Sequence, residues 1–308
     1  MVAKRIVSFL PSATELIYEL GAQDNLVGVT HECSYPEQAR AKLRVINSVF
    51  DPEMMTSMQI DQKVSQLKRD GDDVFVVMEE NLRKADPDLI IGQGTCAVCS
   101  AYTNQVKRAL EILQHRPQVE VLDPHSVDDI LGDVMTIAKR IGREAEGERL
   151  VKSLSRRIDC IKNEEFGNRP RVLCIEWADP FFTSGHWVPQ MVEVAGGTNL
   201  ISSTGEHSRR MTIEEVEDSD PDVIVMMPCG FDAERTAREC TSSLANNQRW
   251  KDVGAVKRGD VYGVDANSFF SKPSIRTVTG IEILAKILHP REFEGIVVPE
   301  NSFSKLKF

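Results

Sequence analysis

The sequence predicts an α/β protein of two related lobes joined by a long helix, with a ligand cleft between the lobes. Three observations predict it. Short β-branched runs alternate with amphipathic stretches, the pattern of a parallel sheet covered by helices. Helical periodicity fills Ser126 to Asn163, interrupted only at Gly142. After that stretch the opening pattern returns: Arg171–Glu176 matches the start of the chain, and Asp220-Pro221-Asp222 matches Asp86-Pro87-Asp88. The expected division is a first lobe over residues 1–125, linking helices over 126–163 and a second lobe over 164–308. A length of 308 residues suits two units, at roughly 150 residues each.

Arg5–Leu10 reads as the first strand. Ser12 is the expected N-cap of the helix that follows, with Glu15 completing a capping box and Gly21 ending it. Leu26–Thr30 reads as a second strand running out to His31-Glu32-Cys33. Residues 45–85 are charged and amphipathic, with a helix expected over Ile60–Lys68. Asp86-Pro87-Asp88 turns into a strand over Leu89–Gly92, and Val119–Leu122 is another strand. The second linking helix has about 20 residues and a length of roughly 30 Å at 1.5 Å per residue. In the second half Val223–Val225 and Val261–Val264 read as strands. The first half is the longer copy: Arg5 to Asp86 spans 81 residues and Arg171 to Asp220 spans 49, which places an insertion within 45–80.

Thirty-seven basic residues against 47 acidic ones give a net charge of −10. That balance excludes a nucleic-acid binder that works by neutralising phosphates. The longest apolar runs, Val74–Met78 and Val223–Pro228, are far shorter than the roughly 20 residues of a membrane helix, so the chain is not expected to be membrane-embedded. Met1–Arg5 leads directly into a short strand-like run ended by Pro11, unlike a secretory signal with its apolar stretch of about 7–15 residues. The expected location is therefore cytoplasmic. Seven cysteines, an odd number widely spread, agree with reduced thiols.

Loops at the carboxyl ends of strands carry the candidate chemistry. Cys96-Ala97-Val98-Cys99 is a CxxC, readable as a redox pair or as half of a metal site completed by His31 and Cys33. The densest unusual stretch is Trp177-Ala-Asp179-Pro-Phe181-Phe182-Thr-Ser-Gly185-His186-Trp187, suited to binding a flat ligand or to folding back on its own lobe. Cys229, Phe231 and Asp232 form a second loop, and Asp265, Asn267, Phe269 and Phe270 a third. Asp232 and Asp265 also read as a helix cap and a turn former. His115, His125, His207 and His289 show no clustering and read as surface or structural residues. The chain has no GxSxG, Walker A, HExxH or strand-borne GxGxxG motif.

Arg5-Ile-Val-Ser-Phe-Leu-Pro-Ser-Ala-Thr-Glu-Leu16, Gly28-Val-Thr-His-Glu-Cys-Ser-Tyr-Pro36 and Ala85-Asp-Pro-Asp-Leu-Ile90 resemble the class III, helical-backbone periplasmic substrate-binding proteins, and within them the vitamin B12-binding proteins. The His-Glu-Cys, Cys-x-Val-Cys, Gly-His-Trp-Val-Pro, Pro-Cys-Gly-Phe-Asp and Asp-Ala-Asn motifs resemble a soluble cobalamin-binding branch without a signal peptide. The resemblance implies two Rossmann-like lobes and a ligand held between them. It carries ligand-binding aromatics over to Tyr35, the neighbourhood of Phe50, Phe182, and the loop of Asn267, Phe269 and Phe270. Two family positions for a cleft Trp fall here on Gly94-Thr95-Cys96 and near Met211.

The leading expectation is a non-enzymatic binding protein for cobalamin, another corrinoid or a related small-molecule metal complex, with an ABC transporter as partner. Trp177, Phe182, Trp187, Phe231 and Phe270 are expected as apolar walls. Asp179, Asp232 and Asn267 are expected to hydrogen-bond peripheral amides, and His31 or His186 to approach the metal. The alternative is a Zn or Fe site built from Cys33, Cys96, Cys99 and Cys229 with His31 or His186, serving sensing or catalysis.

Overall fold

The computed structural model describes residues 2–94 and 103–308. Contacts divide the chain into two compact units, Met1–Pro124 with Asp128–Lys152 and His125–Val127 with Ser153–Phe308.

The first unit contains β1 (Ile6–Ser8), α1 (Pro11–Glu19), β2 (Leu26–Thr30), β3 (Arg44–Ser48), α2 (Ser57–Asp70), β4 (Phe75–Val77), α3 (Glu79–Ala85), β5 (Leu89–Gln93), α4 (Thr103–Ile112) and β6 (Gln118–Leu122). Then come α5 (Val127–Ile141) and α6 (Glu144–Lys162), with Gly142 between them at φ 68°. The unit boundary Lys152/Ser153 falls within α6. The strand order is β4-β3-β2-β1-β5-β6, parallel except for the edge pair β3–β4. Val7 and Ile90 from the central strands pack with Val45, Ile46, Leu82 and Ala109 to form the core.

Two expectations change here. Helix α1 starts at Pro11, with Leu10 as N-cap and no side-chain cap, while Ser12 is buried. Proline at the first helical position is preset to helical φ and gives up an N–H that would have no partner there anyway. The 45–85 segment is also more than a helix: β3 and β4 bracket α2 and extend the sheet. Helix α2 itself is capped at both ends, by a Thr56/Gln59 capping box and by Gly71 in the left-handed region.

The second unit contains β7 (Arg171–Ala178), β8 (Phe181–Thr183), α7 (Val188–Val194), β9 (Thr198–Asn199), α8 (Ile213–Ser219), β10 (Val223–Met226), α9 (Ala233–Leu244), α10 (Gln248–Asp252) and α11 (Gly254–Arg258). It ends with β11 (Val261–Val264), α12 (Ala266–Phe269), α13 (Thr277–Leu288) and β12 (Phe303–Lys305). Its sheet runs β12-β11-β10-β7-β8, with β9 also paired to β7. Trp250 anchors its core, packed with Leu173, Ile175, Ile224, Met226 and Cys240. Burial pushes the Cys240 thiol up to about 12 and the Cys174 thiol higher still, so neither is a thiolate near neutrality.

The two Asp-Pro-Asp turns do the same work in both units. Asp86 (φ 45°) ends α3 and Asp220 (φ 42°) ends α8, each in the left-handed conformation that aspartate tolerates. The second aspartate of each turn then accepts the N–H of the residue opening the neighbouring strand. Arg5 N donates to Asp88 Oδ1 at 3.1 Å, and Arg171 N to Asp222 Oδ2 at 2.8 Å. The arginine side chains fold over the turn, Arg5 Nε onto the Asp86 carbonyl at 2.9 Å and Arg171 onto the Asp220 carboxylate at 2.9 Å. The Arg171 guanidinium holds the Asp222 carboxyl below the usual carboxylate range. This clasp sets the parallel register Ile6↔Leu89 in one sheet and Val172↔Val223 in the other.

Candidate functional site

In the second unit the carboxyl ends of β7, β10 and β11 carry the aromatic loops. After β7 the chain turns at Asp179-Pro180 and returns as β8, which pairs Trp177 with Phe182. The Trp177 and Phe231 rings meet at 5.3 Å, and the Phe231 carbonyl accepts the Asn267 N–H at 2.9 Å. Phe182, Trp177, Phe231 and Asn267 therefore form one continuous strip across three strand ends. Cations lie over rings of these loops. Arg235 lies 3.9 Å from the centre of the Phe231 ring, Arg210 5.6 Å from that of Phe182, and Arg276 5.7 Å from that of Phe269. A guanidinium on an aromatic face gains quadrupole attraction and keeps its N–H edge for in-plane hydrogen bonds.

Several expected site residues serve the fold instead. Trp187 is 4% exposed and gives its indole N–H to the carbonyl of Phe270, itself 2% exposed, at 2.9 Å. These two rings are packing residues, which corrects their assignment as ligand walls. Phe231 is 2% exposed and lies beneath Arg235, so it supports a cation rather than forming a bare apolar wall. Asp232 caps α9 by accepting the Arg235 N–H at 2.7 Å, and Asp265 caps α12 through Ser268 N at 2.9 Å. Capping wins because each carboxylate stands at a helix start, where backbone N–H groups lack helical partners. Asn267 Oδ1 accepts Lys272 Nζ at 2.7 Å. Asp179 is half-buried at the β7–β8 turn.

The candidates of the first unit have these surroundings. Tyr35 is 50% exposed, and Phe50 is half-buried after β3. His31 packs its ring 5.7 Å from that of Phe75. The Cys33 thiol is buried, 3.2 Å from Thr14 Oγ1 and 3.4 Å from Thr30 Oγ1. Cys229 is exposed and belongs to the second unit. Cys96 and Cys99 lie outside the described residues. Among the described residues no three His, Cys, Asp or Glu side chains form a group that could hold a metal ion.

Three histidines that the sequence leaves scattered come together in the second unit. His186 and His207 have ring centres 5.0 Å apart, and His125 lies 5.9 Å from the first and 6.0 Å from the second. This overturns the reading of His125 and His207 as unclustered. The backbone fixes their loops. His186 sits at φ 54°; its N–H donates to the Glu206 carbonyl at 2.6 Å and its carbonyl accepts the Gly205 N–H at 2.9 Å. Glu176, on β7, accepts the Gly185 N–H at 3.2 Å and the Ser208 hydroxyl, so one carboxylate braces the flanks of both loops. His125 is held by its neighbour Val127, whose N–H donates to Gln190 Oε1 on α7 at 2.7 Å.

The periplasmic binding protein family matches residues 6–268, and the chain belongs to that family. An uncharacterized ABC transporter substrate-binding lipoprotein of Bacillus subtilis, YvrC, is 27% identical over 300 residues, covering 94% of this chain and 82% of the relative. The vitamin B12-binding protein of Vibrio cholerae is 23% identical over 287 residues, covering 91% and 87%. The crystal structure of periplasmic vitamin B12 binding protein BtuF of Vibrio cholerae superposes with a TM-score of 0.63 at 22% identity, over 93% of this chain and 96% of that one. A periplasmic heme binding protein from Pseudomonas aeruginosa gives a TM-score of 0.66 at 15% identity, over 94% of both chains. The fold is that of this family, whose members are substrate-binding proteins of ABC transporters and not enzymes.

Proposed function

We propose that the chain captures a carboxylate-bearing metal macrocycle, of the heme class, on the strand-end loops of the second unit, against the half-buried rings of Phe182 and Trp177. The observation that carries this reading is the set of three arginines laid over Phe182, Phe231 and Phe269. A flat macrocycle gains from the half-buried Trp177 face, and a carboxylate on its rim is the group that could compete for guanidiniums which already hold contacts within the protein. In a chain of net charge −10, a guanidinium on each of three rings of the second unit favours an anionic ligand over a neutral one. Relatives whose names specify heme or vitamin B12 support the macrocycle; the arginines favour the acid over the amide periphery.

Titrating the protein with hemin and with hydroxocobalamin, followed by tryptophan quenching and visible absorbance, tests the proposal. Hemin is expected to bind with one-to-one stoichiometry and more tightly than hydroxocobalamin. Arg235→Ala and Arg276→Ala should each weaken hemin by about tenfold, the value of one lost charge-assisted contact. Tighter binding of hydroxocobalamin, unchanged by both arginine variants, overturns the proposal and returns the cargo to a corrinoid.

A further inference from the structure

We propose that Lys272 is the specificity-determining cation of the strand-end loops, taking a carboxylate on the ligand's rim, with Asn267 as its positioning residue. This inference rests on the macrocycle reading and names the group that tells an acid rim from a neutral one.

Lys272 lies between α12 and α13. It is half-buried, and its Nζ donates to Asn267 Oδ1 at 2.7 Å. That amide oxygen is the one side-chain hydrogen-bond partner of the ammonium among the described residues, and no carboxylate among them pairs with it. An ammonium has three N–H donors, so two remain for a ligand, and a neutral amide leaves the positive charge uncancelled. Other lysines of this unit differ. Lys257 pairs with Asp252 at 3.1 Å and Lys305 with Asp260 at 3.3 Å, which offsets their charge locally. Arg210, Arg235 and Arg276 lie over rings and hold further contacts within the protein. Lys272 stands over no ring. It keeps both its charge and two of its donors.

The backbone holds this lysine from both sides. Its carbonyl accepts the Ser274 N–H at 2.8 Å and the Thr277 hydroxyl at 3.4 Å, at the start of α13. Phe270, Pro273 and Ser274, which bracket it, are buried. On the other side the Asn267 N–H is fixed to the Phe231 carbonyl at 2.9 Å, and Ser271 Oγ accepts the Gly230 N–H at 3.4 Å. A chain of contacts thus runs from the Trp177 ring through Phe231 and Asn267 to the ammonium. The charge is tied to the aromatic loops without being stacked on a ring, which suits a group on a ligand's rim rather than its face. The residue type at 267 matters for the same reason: an aspartate there would pair with Lys272 and silence it.

The test titrates the full chain with hemin and with hemin dimethyl ester, which has the same ring and iron but no ionised carboxylate, in one solvent mixture, followed by visible absorbance and tryptophan quenching. Lys272→Met is expected to weaken hemin by about tenfold, the loss of one charge-assisted contact, and to leave the ester unchanged. Lys272→Arg keeps the charge and should retain most of the hemin affinity. Asn267→Asp, of the same shape, should weaken hemin in the unaltered chain and add little in the Lys272→Met background. It also keeps the proposal testable if Lys272→Met does not fold. Lys257→Met removes the same charge from α11 and should change neither ligand. Hemin affinity that survives Lys272→Met overturns the proposal and leaves the macrocycle reading standing, and so does equal weakening of hemin and its ester. Failure of the unaltered chain to bind hemin, or tighter binding of hydroxocobalamin, refutes the macrocycle reading and this inference with it, so the two failures are told apart by the unaltered chain.

Discussion

Replacing Asp133 by asparagine should stabilise the protein at alkaline pH and do nothing at acid pH. Asp133 lies on α5, half-buried, with Asp129, Glu120 and Asp123 as charged neighbours. Burial first, and then those like charges, push its carboxyl up to about 7. In the unfolded chain the same group titrates near 3.9. The folded state therefore binds the extra proton between about pH 4 and pH 7. Stability is full below the unfolded value, falls as pH rises through this window, and is flat above about pH 7. A displacement from 3.8 to about 7 corresponds to at most about 4 kcal/mol at 1.36 kcal/mol per unit. Water reaches a half-buried carboxylate, so the working figure is about 1–2 kcal/mol. Asp133→Asn keeps the shape and removes the charge. At pH 8 it should raise the urea midpoint by about 0.5–1 M, taking a slope of about 2 kcal/mol/M. At pH 4 the midpoints should coincide. Trp177, Trp187 and Trp250 all belong to the second unit, so unfolding is followed by far-UV circular dichroism, with amide exchange on α5 as the local reporter. An equal gain at pH 4 and pH 8, or a loss at pH 8, would show that Asp133 is not a strained carboxylate.

Three further substitutions probe the framework of the site. Trp187→Phe removes the donor to the buried Phe270 carbonyl and leaves a void, and should cost about 2–4 kcal/mol in chemical denaturation read by the remaining tryptophans; a cost below about 0.5 kcal/mol would mean the indole bond contributes nothing to stability. Gly185→Ala should be more damaging than Gly205→Ala in thermal melts. The first forces a Cβ to within 2.6 Å of backbone, whereas the second meets nothing nearer than 4.0 Å and pays only for its left-handed φ of 86°, about 1 kcal/mol. The reverse order would remove the close-packed loop pair as the support for His186 and His207.

Much of the fold was legible because its signals are local. Asp86-Pro87-Asp88 and Asp220-Pro221-Asp222 mark a helix end and a strand start within a few residues, and they do so twice. Gly142 stops α5 by the same left-handed φ that closes other helices, so the break between the linking helices was readable. Strands β3 and β4 were not, for a physical reason. Each is short and lies towards the sheet edge; β4 falls inside the apolar run Val74–Met78 but is only three residues long and partly exposed, and β3 limits its apolar pair Val45-Ile46 with Arg44 and Asn47, so neither reads as a central parallel strand. Ser12 was misread because two start signals compete at that helix. Proline at the first helical position fixes the start one residue earlier, and the serine side chain then falls inside the helix.

The site was legible in a different measure. Aromatic density marked loops that lie at the strand ends of the second unit, but density does not say which face of a ring meets solvent. Phe231 lies under Arg235, and Trp187 stacks on His186 and bonds the Phe270 carbonyl, so these three rings are packed rather than open. One part of this had a local signal: Arg235 follows Phe231 by four residues across a helix cap, a spacing that brings the guanidinium back over the ring. The histidines had none. His125, His186 and His207 belong to three segments separated by whole strands and helices, and their meeting depends on a glycine that admits no side chain, a left-handed histidine and a carboxylate on a neighbouring strand. The glycine is the element with a sequence trace, since Gly185 directly precedes His186 and Gly205 stands two residues before His207. Glycines next to or near a histidine in two separate loops let those loops approach closely, and that approach brings the His186 and His207 ring centres to 5.0 Å.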